Sequence, residues 1–317
     1  MVAAVDDCHP DVIAPAKELG RLETGETGPD NHHVGSPVGF HRCPGCANQG
    51  TRSQRVRVPM VLNRLSSLLR YAGMALWSIF WIPAALILGT VRRDSSLPLR
   101  FARKYWGPGM LRLAGADLRV QGSPDALAGG PAIYVMNHQS SLDIPAAFAV
   151  LPVDLRFIAK HTLRKVPFLG WYMSWTGMVF VDRSNSTQAV GSLNAAAERV
   201  RGGISLLAYP EGTRSRDGRI LPFKKGPFVL ALQAGVPIVP IAIEGSMRCM
   251  PAHLRPFRPG MVRMAIGAPI VTEGMGLDRR DQLVHQTREA VVALHASLAR
   301  SDPQQASAPV RAERTTG

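Results

Sequence analysis

Among the nine histidines of the chain, His138 alone is followed five residues later by an aspartate, in the stretch Asn137-His138-Gln139-Ser140-Ser141-Leu142-Asp143. An imidazole with a pKa of about 6.5 is mostly free base at neutral pH and can take a proton from a hydroxyl. A carboxylate on its second nitrogen fixes the tautomer and stabilises the imidazolium that forms. The pair therefore points to general-base activation of an oxygen nucleophile. Ser140-x-x-Asp143 also has the spacing of a capping box, in which Asp143 would only support a helix start.

Two further polar clusters carry groups suited to a phosphate. In Tyr209-Pro210-Glu211-Gly212-Thr213-Arg214-Ser215, Arg214 offers a planar fork of donors, and Thr213 and the Gly212 backbone can add hydrogen bonds. Glu211 can bond a substrate hydroxyl or hold Arg214 in place. A solvated turn with a surface ion pair is the alternative. In Phe180-Val181-Asp182-Arg183-Ser184-Asn185, Arg183 is the exposed cation, with Asp182 beside it as a partner. Lys224 and Lys225 extend a cationic lip.

Each cluster follows an apolar run. Strands are expected over residues 117–121, 132–136, 155–159, 178–181, 205–209, 236–243 and 261–266, with helical patterns over 187–201, 226–234 and 278–299. The first of these helices places Leu193, Ala196, Ala197 and Val200 on one face. The last places Leu283, Gln286, Val291, Leu294 and Leu298 on one face. Short apolar runs alternating with helices predict an α/β fold, a single largely parallel sheet covered by helices on both faces. Ligands bind such sheets at the carboxyl ends of their strands, where His138, Arg183 and Arg214 all fall. Val236-Pro237-Ile238-Val239-Pro240 reads as an edge or bulged strand, or as a wall of an apolar tunnel, since proline is poorly tolerated in a central strand.

The chain is 46% hydrophobic and carries a formal charge of +14. That balance favours anionic partners, and the low aromatic content, with no helix-turn-helix pattern, favours acidic lipid over nucleic acid. Four cysteines make no disulfide framework. Residues 1–59 lack an apolar period and are expected to be disordered or non-native, with a start at Met60 as the alternative; the segment is not a signal peptide. His41, Cys43 and Cys46 form only half of a zinc site. The uncharged stretch Ala72–Val91 is long enough to span a bilayer, yet Pro83 interrupts it and both flanks are basic. A hairpin dipping into one leaflet from the cytoplasmic face of the cell membrane satisfies both features; a single span and a buried core helix are the alternatives. The tail 301–317 is expected to be disordered.

Taken together, Asn137-His138-x-Ser140-x-x-Asp143, Phe180-x-x-Arg183, Tyr209-Pro210-Glu211-Gly212-Thr213-Arg214-Ser215 and Val236-Pro237-Ile238-Val239-Pro240 resemble the four ordered motifs of the 1-acylglycerol-3-phosphate acyltransferase family. The resemblance covers residues 60–299, with a membrane-associated segment over 60–106 and a catalytic domain over 107–300. It implies His138 as general base, Asp143 as its orienting partner, and Arg183, Glu211, Gly212, Thr213 and Arg214 as holders of a glycerol-phosphate head. Lys160 looks like a further basic residue of the family, although Thr162 stands where a glutamate is usual. The implied reaction acylates lysophosphatidic acid from acyl-CoA or acyl carrier protein, with no metal and no cofactor. Acylation of another lysolipid is the nearest alternative, followed by a non-catalytic lipid-binding protein. A hydrolase is disfavoured, because no G-x-S-x-G elbow is present.

Overall fold

A computed structural model describes residues 60–122, 129–182, 186–251 and 256–300. Residues 1–59 and 301–317, with the expectations placed on them, lie outside the described residues. So do Arg183, Ser184 and Asn185.

In chain order the helices are α1 (Met60–Arg92), α2 (Leu97–Phe101), α3 (Gly107–Ala114), α4 (Asp143–Val150), α5 (Leu169–Trp175), α6 (Ser186–Arg201), α7 (Gly226–Ala234), α8 (Ser246–Cys249) and α9 (Arg280–Arg300). A π-helical turn, Ala102–Trp106, joins α2 to α3. The strands are β1 (Ala116–Gln121), β2 (Ile133–Met136), β3 (Leu155–Lys160), β4 (Val179–Val181), β5 (Ser205–Ala208), β6 (Ile238–Glu244) and β7 (Gly260–Ile266). Each of the seven expected strands forms, within two residues of its expected ends. Together they make one sheet in the order β1-β7-β6-β2-β5-β3-β4.

From β6 to β4 every neighbouring pair is parallel. Five adjacent strands therefore deliver their carboxyl ends to one rim. β7 then reverses against β6, and β1 runs parallel to β7. The strand alternation is legible in β2. Tyr134 and Met136 join the core beneath the N-terminal helices, α4 and α5, while Ile133 and Val135 join the core beneath α6, α7 and α9. Both faces are buried, which is why these runs are apolar without alternation. On α9 the core contact is Thr287 in place of Gln286, which faces solvent.

Two expectations need correction. Pro240 lies in an interior strand, not an edge, since β6 runs between β2 and β7 with all seven residues buried. The Pro240 carbonyl accepts the Gly267 N–H at 2.9 Å, just past the end of β7. The N–H and C=O of one strand residue point to the same side, so the missing donor faces the place where the β7 ladder has already stopped. Second, Pro83 does not break the apolar segment, for α1 continues unbroken through it. The chain turns back at Arg93–Ser96, where Asp94 Oδ1 accepts the N–H of Ser96 at 2.9 Å and of Leu97 at 3.2 Å. The returning arm, α2 to α3, lies antiparallel to α1. Pro98 sits against Gly89, Trp106 bonds Ser78 through its indole N–H at 3.1 Å, and Leu113 meets Gly73.

Candidate active site

The centre of the rim is the loop leaving β2. Asn137, buried at its first position, clasps the backbone of β6 with both ends of its amide: Nδ2 donates to the Ile243 carbonyl at 2.9 Å and Oδ1 accepts the Ile243 N–H at 2.8 Å. That two-point clamp fixes where β2 stops and His138 begins. His138 Nδ1 lies 2.7 Å from Asp143 Oδ2. The same carboxylate oxygen accepts the N–H groups of Gln139 at 2.7 Å and Ser140 at 2.9 Å. Asp143 is fully buried, and the His138 side chain is 16% exposed. With Nδ1 committed to the carboxylate, Nε2 is the nitrogen left to take a proton.

Asp143 opens α4, yet the position before it is Leu142, and no side chain caps the helix. Ser140 Oγ instead accepts the Leu142 N–H at 3.2 Å and donates to the Met250 carbonyl at 2.9 Å. Of the capping box, only the backward reach of Asp143 to the Ser140 amide is present. The capping geometry and the histidine contact are served by one oxygen.

The β5 loop backs the histidine from the other side. Glu211 is buried, and its two carboxylate oxygens accept the N–H groups of His138 at 2.9 Å and Leu221 at 3.2 Å. It thus braces the His138 loop, and not Arg214, in this structure. Burial pushes its pKa up, opposed by those two amide bonds. Ser215 reinforces the same joint, its N–H donating to the His138 carbonyl at 2.8 Å. Gly212 adopts φ 77°, a left-handed turn that a side chain would strain. It aims Thr213 and Arg214 at the rim, Thr213 exposed and Arg214 Nη1 donating to Ser141 Oγ at 3.0 Å. Arg214 therefore reaches the His138 loop itself. Lys160 is exposed at the carboxyl end of β3, and β4 ends two residues before Arg183. Asp182 lies 3.4 Å from His161 Nδ1.

Two site neighbours escaped sequence reasoning. The Tyr209 ring stacks on the His138 imidazole with centroids 4.0 Å apart and planes 22° apart. Its phenol pKa is raised well above the usual value, first by burial and then by the Asp143 charge. Gln139 Nε2 donates to the Gly218 carbonyl at 3.2 Å and meets His295 Nε2 of α9 at 3.0 Å. The adjacency of Tyr209 to a strand end was a signal for the first. His295 had none, because it lies on a helix at the far end of the sequence.

A family model described as Acyltransferase matches residues 117–244. The chain is similar to the 1-acyl-sn-glycerol-3-phosphate acyltransferase of Saccharomyces cerevisiae, 37% identical over 186 residues, covering 58% of this chain and 61% of that protein. It is 33% identical over 217 residues to acl-2 of Caenorhabditis elegans, covering 67% of this chain and 74% of that one. Among solved structures it is similar to the 1-acyl-sn-glycerophosphate acyltransferase PlsC of Thermotoga maritima. That match has a TM-score of 0.66 at 29% identity and covers 76% of this chain and 98% of the other. The chain spans 61%, 58% and 41% of the length of three curated relatives it matches, less than two thirds in each case.

Proposed function

This chain belongs to the 1-acylglycerol-3-phosphate acyltransferase family, and from that membership we propose that it acylates the free hydroxyl of 1-acyl-sn-glycerol 3-phosphate to give phosphatidic acid. The observation that carries the reading is the 2.7 Å contact between His138 Nδ1 and the buried Asp143 carboxylate. His138 Nε2 takes the proton of the acceptor hydroxyl as its oxygen attacks the thioester carbonyl of acyl-CoA or acyl carrier protein. The carbon–sulfur bond then breaks, and the leaving thiolate takes the proton back from the imidazolium. Asp143 holds the tautomer and offsets the transient positive charge. General-base transfer of this kind contributes about 10² to 10⁴-fold. Arg214, Arg183, Lys160 and Thr213 hold the acceptor phosphate at the strand ends, with Gly212 shaping their turn and Glu211 bracing the His138 loop. No metal or cofactor takes part in this scheme.

The substrate and product are lipids, and α1 supports a membrane location. It is long and apolar enough to cross a bilayer, and Leu76, Ile79 and Phe80 stand 66%, 67% and 64% exposed on its outer face. Its inner face is occupied along its length: Ser67 Oγ accepts the Phe257 N–H at 3.0 Å, Arg70 donates to the Leu113 carbonyl at 2.7 Å, and Gly89 meets Pro98. A spanning α1 would pull those polar neighbours into hydrocarbon, which supports the reading that α1 lies in the plane of the cytoplasmic leaflet of the cell membrane with its outer face in lipid.

The test is thiol release from acyl-CoA by membranes carrying wild type or His138→Ala, with and without lysophosphatidate. Release that needs both lysophosphatidate and His138 supports the reading. Release without an acceptor turns it into a thioesterase, and retention of more than about a tenth of the wild-type rate by His138→Ala removes the histidine as the base.

A further inference from the structure

We propose that the cleft beside the π-helical turn holds the phosphate-bearing headgroup of an anionic membrane lipid, at a site separate from His138. The proposal rests on the membrane location put forward above and extends it from an apolar face to a defined headgroup site.

The cleft, about 350 Å³, opens between α1 and the returning arm, with Trp77, Lys104, Tyr105, Gly109 and Arg112 in its wall. No acidic residue lines it. Among the described residues neither Lys104 nor Arg112 takes part in a salt bridge. Two exposed cations without carboxylate partners, beside one cavity, give it a positive potential that favours an anion.

Their alignment comes from the backbone. Lys104 lies in the π-helical turn and Arg112 in α3, eight residues later. In a regular α-helix two turns take about 7.2 residues, so an eight-residue step would rotate the two side chains apart by roughly 80°. A π turn absorbs an extra residue, which brings Lys104 back over Arg112.

The aromatic wall is rigid. Tyr105 stacks on Trp81 with centroids 5.0 Å apart and planes 5° apart, and Lys104 Nζ stands 5.3 Å from the Tyr105 centroid. Trp77 donates from Nε1 to the Trp106 carbonyl at 3.3 Å. Gly109 is required behind it, because a Cβ there would overlap the Trp77 indole.

A lipid, rather than a free anion, is indicated by what borders the mouth. Phe80, one turn beyond Trp77 on the same side of α1, is exposed and continues into the apolar outer stripe of that helix. A ligand with a phosphate at one end and acyl chains at the other satisfies both halves at once. Interfacial tryptophan and tyrosine with neighbouring cations are the side chains found at headgroup depth. The site is set apart from the catalytic rim by a run of rings, Trp106, Phe148, Phe157 and Tyr209, the last of which stacks on His138.

The experiment is co-sedimentation of the full chain with phosphatidylcholine vesicles and with vesicles of phosphatidylcholine and phosphatidylglycerol at roughly three to one. Lys104→Ala/Arg112→Ala is expected to lose on the order of tenfold in binding to the anionic vesicles and to bind phosphatidylcholine vesicles as wild type does. Arg279→Ala/Arg300→Ala removes the same charge elsewhere and is expected to lose less than about twofold. Equal losses in the two double variants, or no loss in the first, overturn the proposal. Inorganic phosphate, at ionic strength matched with chloride, is expected to leave wild-type binding unchanged; release by phosphate alone would assign the cleft to a free anion and overturn the lipid. Acylation of a water-soluble short-chain lysophosphatidate should be unaltered in both variants, which would show the fold intact. A loss of vesicle preference with turnover retained tests this site, whereas absence of turnover in wild type would bear on the proposed activity alone.

Discussion

The rim around His138 and the outer face of α1 break the usual rule of burial in opposite directions. At the rim, Asn137, Gln139, Ser140, Asp143, Glu211 and Ser215 are polar and buried. Along α1, Leu65, Leu68, Leu69, Leu76, Ile79, Phe80, Ile87 and Val91 are apolar and exposed. Burying a polar group is unfavourable unless it finds a partner, and these do: Asn137, Gln139, Ser140 and Glu211 bond backbone of a distant segment, and Asp143 and Ser215 bond their own loops. An exposed stripe of leucine and isoleucine is unfavourable in water and favourable against lipid. Under the proposed function the first exception orders atoms for chemistry and the second selects the medium in which that chemistry would occur. Neither would be expected from a domain that had only to fold.

Substitutions should therefore separate the two regions. The largest effect is expected from His138→Ala, a loss of about 10² to 10⁴-fold in turnover with unchanged thermal unfolding and unchanged vesicle binding. A fall in melting temperature comparable to that of a core deletion would mean that the ring's stack on Tyr209 is structural. Glu211→Ala comes next and should blur the separation on the rim side. It leaves the buried amides of His138 and Leu221 without acceptors, at about 1–3 kcal/mol each. Urea unfolding should report that loss together with reduced turnover, whereas a stable but inactive variant would put Glu211 on the substrate instead. On the other side, Ile79→Glu should cut partition onto phosphatidylcholine vesicles several-fold with little change in stability, since the side chain already faces outward. Unaltered partition would take that face of α1 out of the lipid contact.

The smallest effect concerns pH. Burial lowers the pKa of His295 below its usual 6.5, with the Glu244 charge opposing the shift. The folded chain therefore keeps this ring neutral as the unfolded chain begins to take up a proton. The stabilisation is fully present above about pH 6.5 and declines as pH falls through that value toward the lowered folded pKa. His295→Asn should flatten the difference between urea midpoints measured near pH 7.5 and near pH 5.5. If it does not, the decline belongs to other groups.

How much of this was legible follows from sequence distance. The His138–Asp143 contact was readable because five residues on one loop can be judged by eye. The strands were readable because apolar runs stopping at polar clusters mark buried parallel strands. The Asn137 clamp, the bracing by Glu211 and the Tyr209 stack were not, because their partners lie 106, 73 or 71 positions away, at Ile243, at His138 and at His138. Proline misled twice. In β6 its missing N–H faces the end of the β7 ladder, and in α1 it removes one bond, to the Ile79 carbonyl, from a helix long enough to continue through the loss. The location of the turn at Arg93–Ser96 depended on Asp94 closing it, a short polar motif hidden among arginines.

The pairing of β1 with β7 has a consequence for how the protein is made. Ala116 aligns with Gly260, so the strand that follows the N-terminal helices waits for the last strand of the sheet. At about 5–20 residues per second, translation takes on the order of ten to thirty seconds to supply that partner. Throughout that interval α1 and its returning arm have left the ribosome and can settle on a lipid surface. The order of synthesis would thus berth the chain at the membrane first and close the sheet there afterwards.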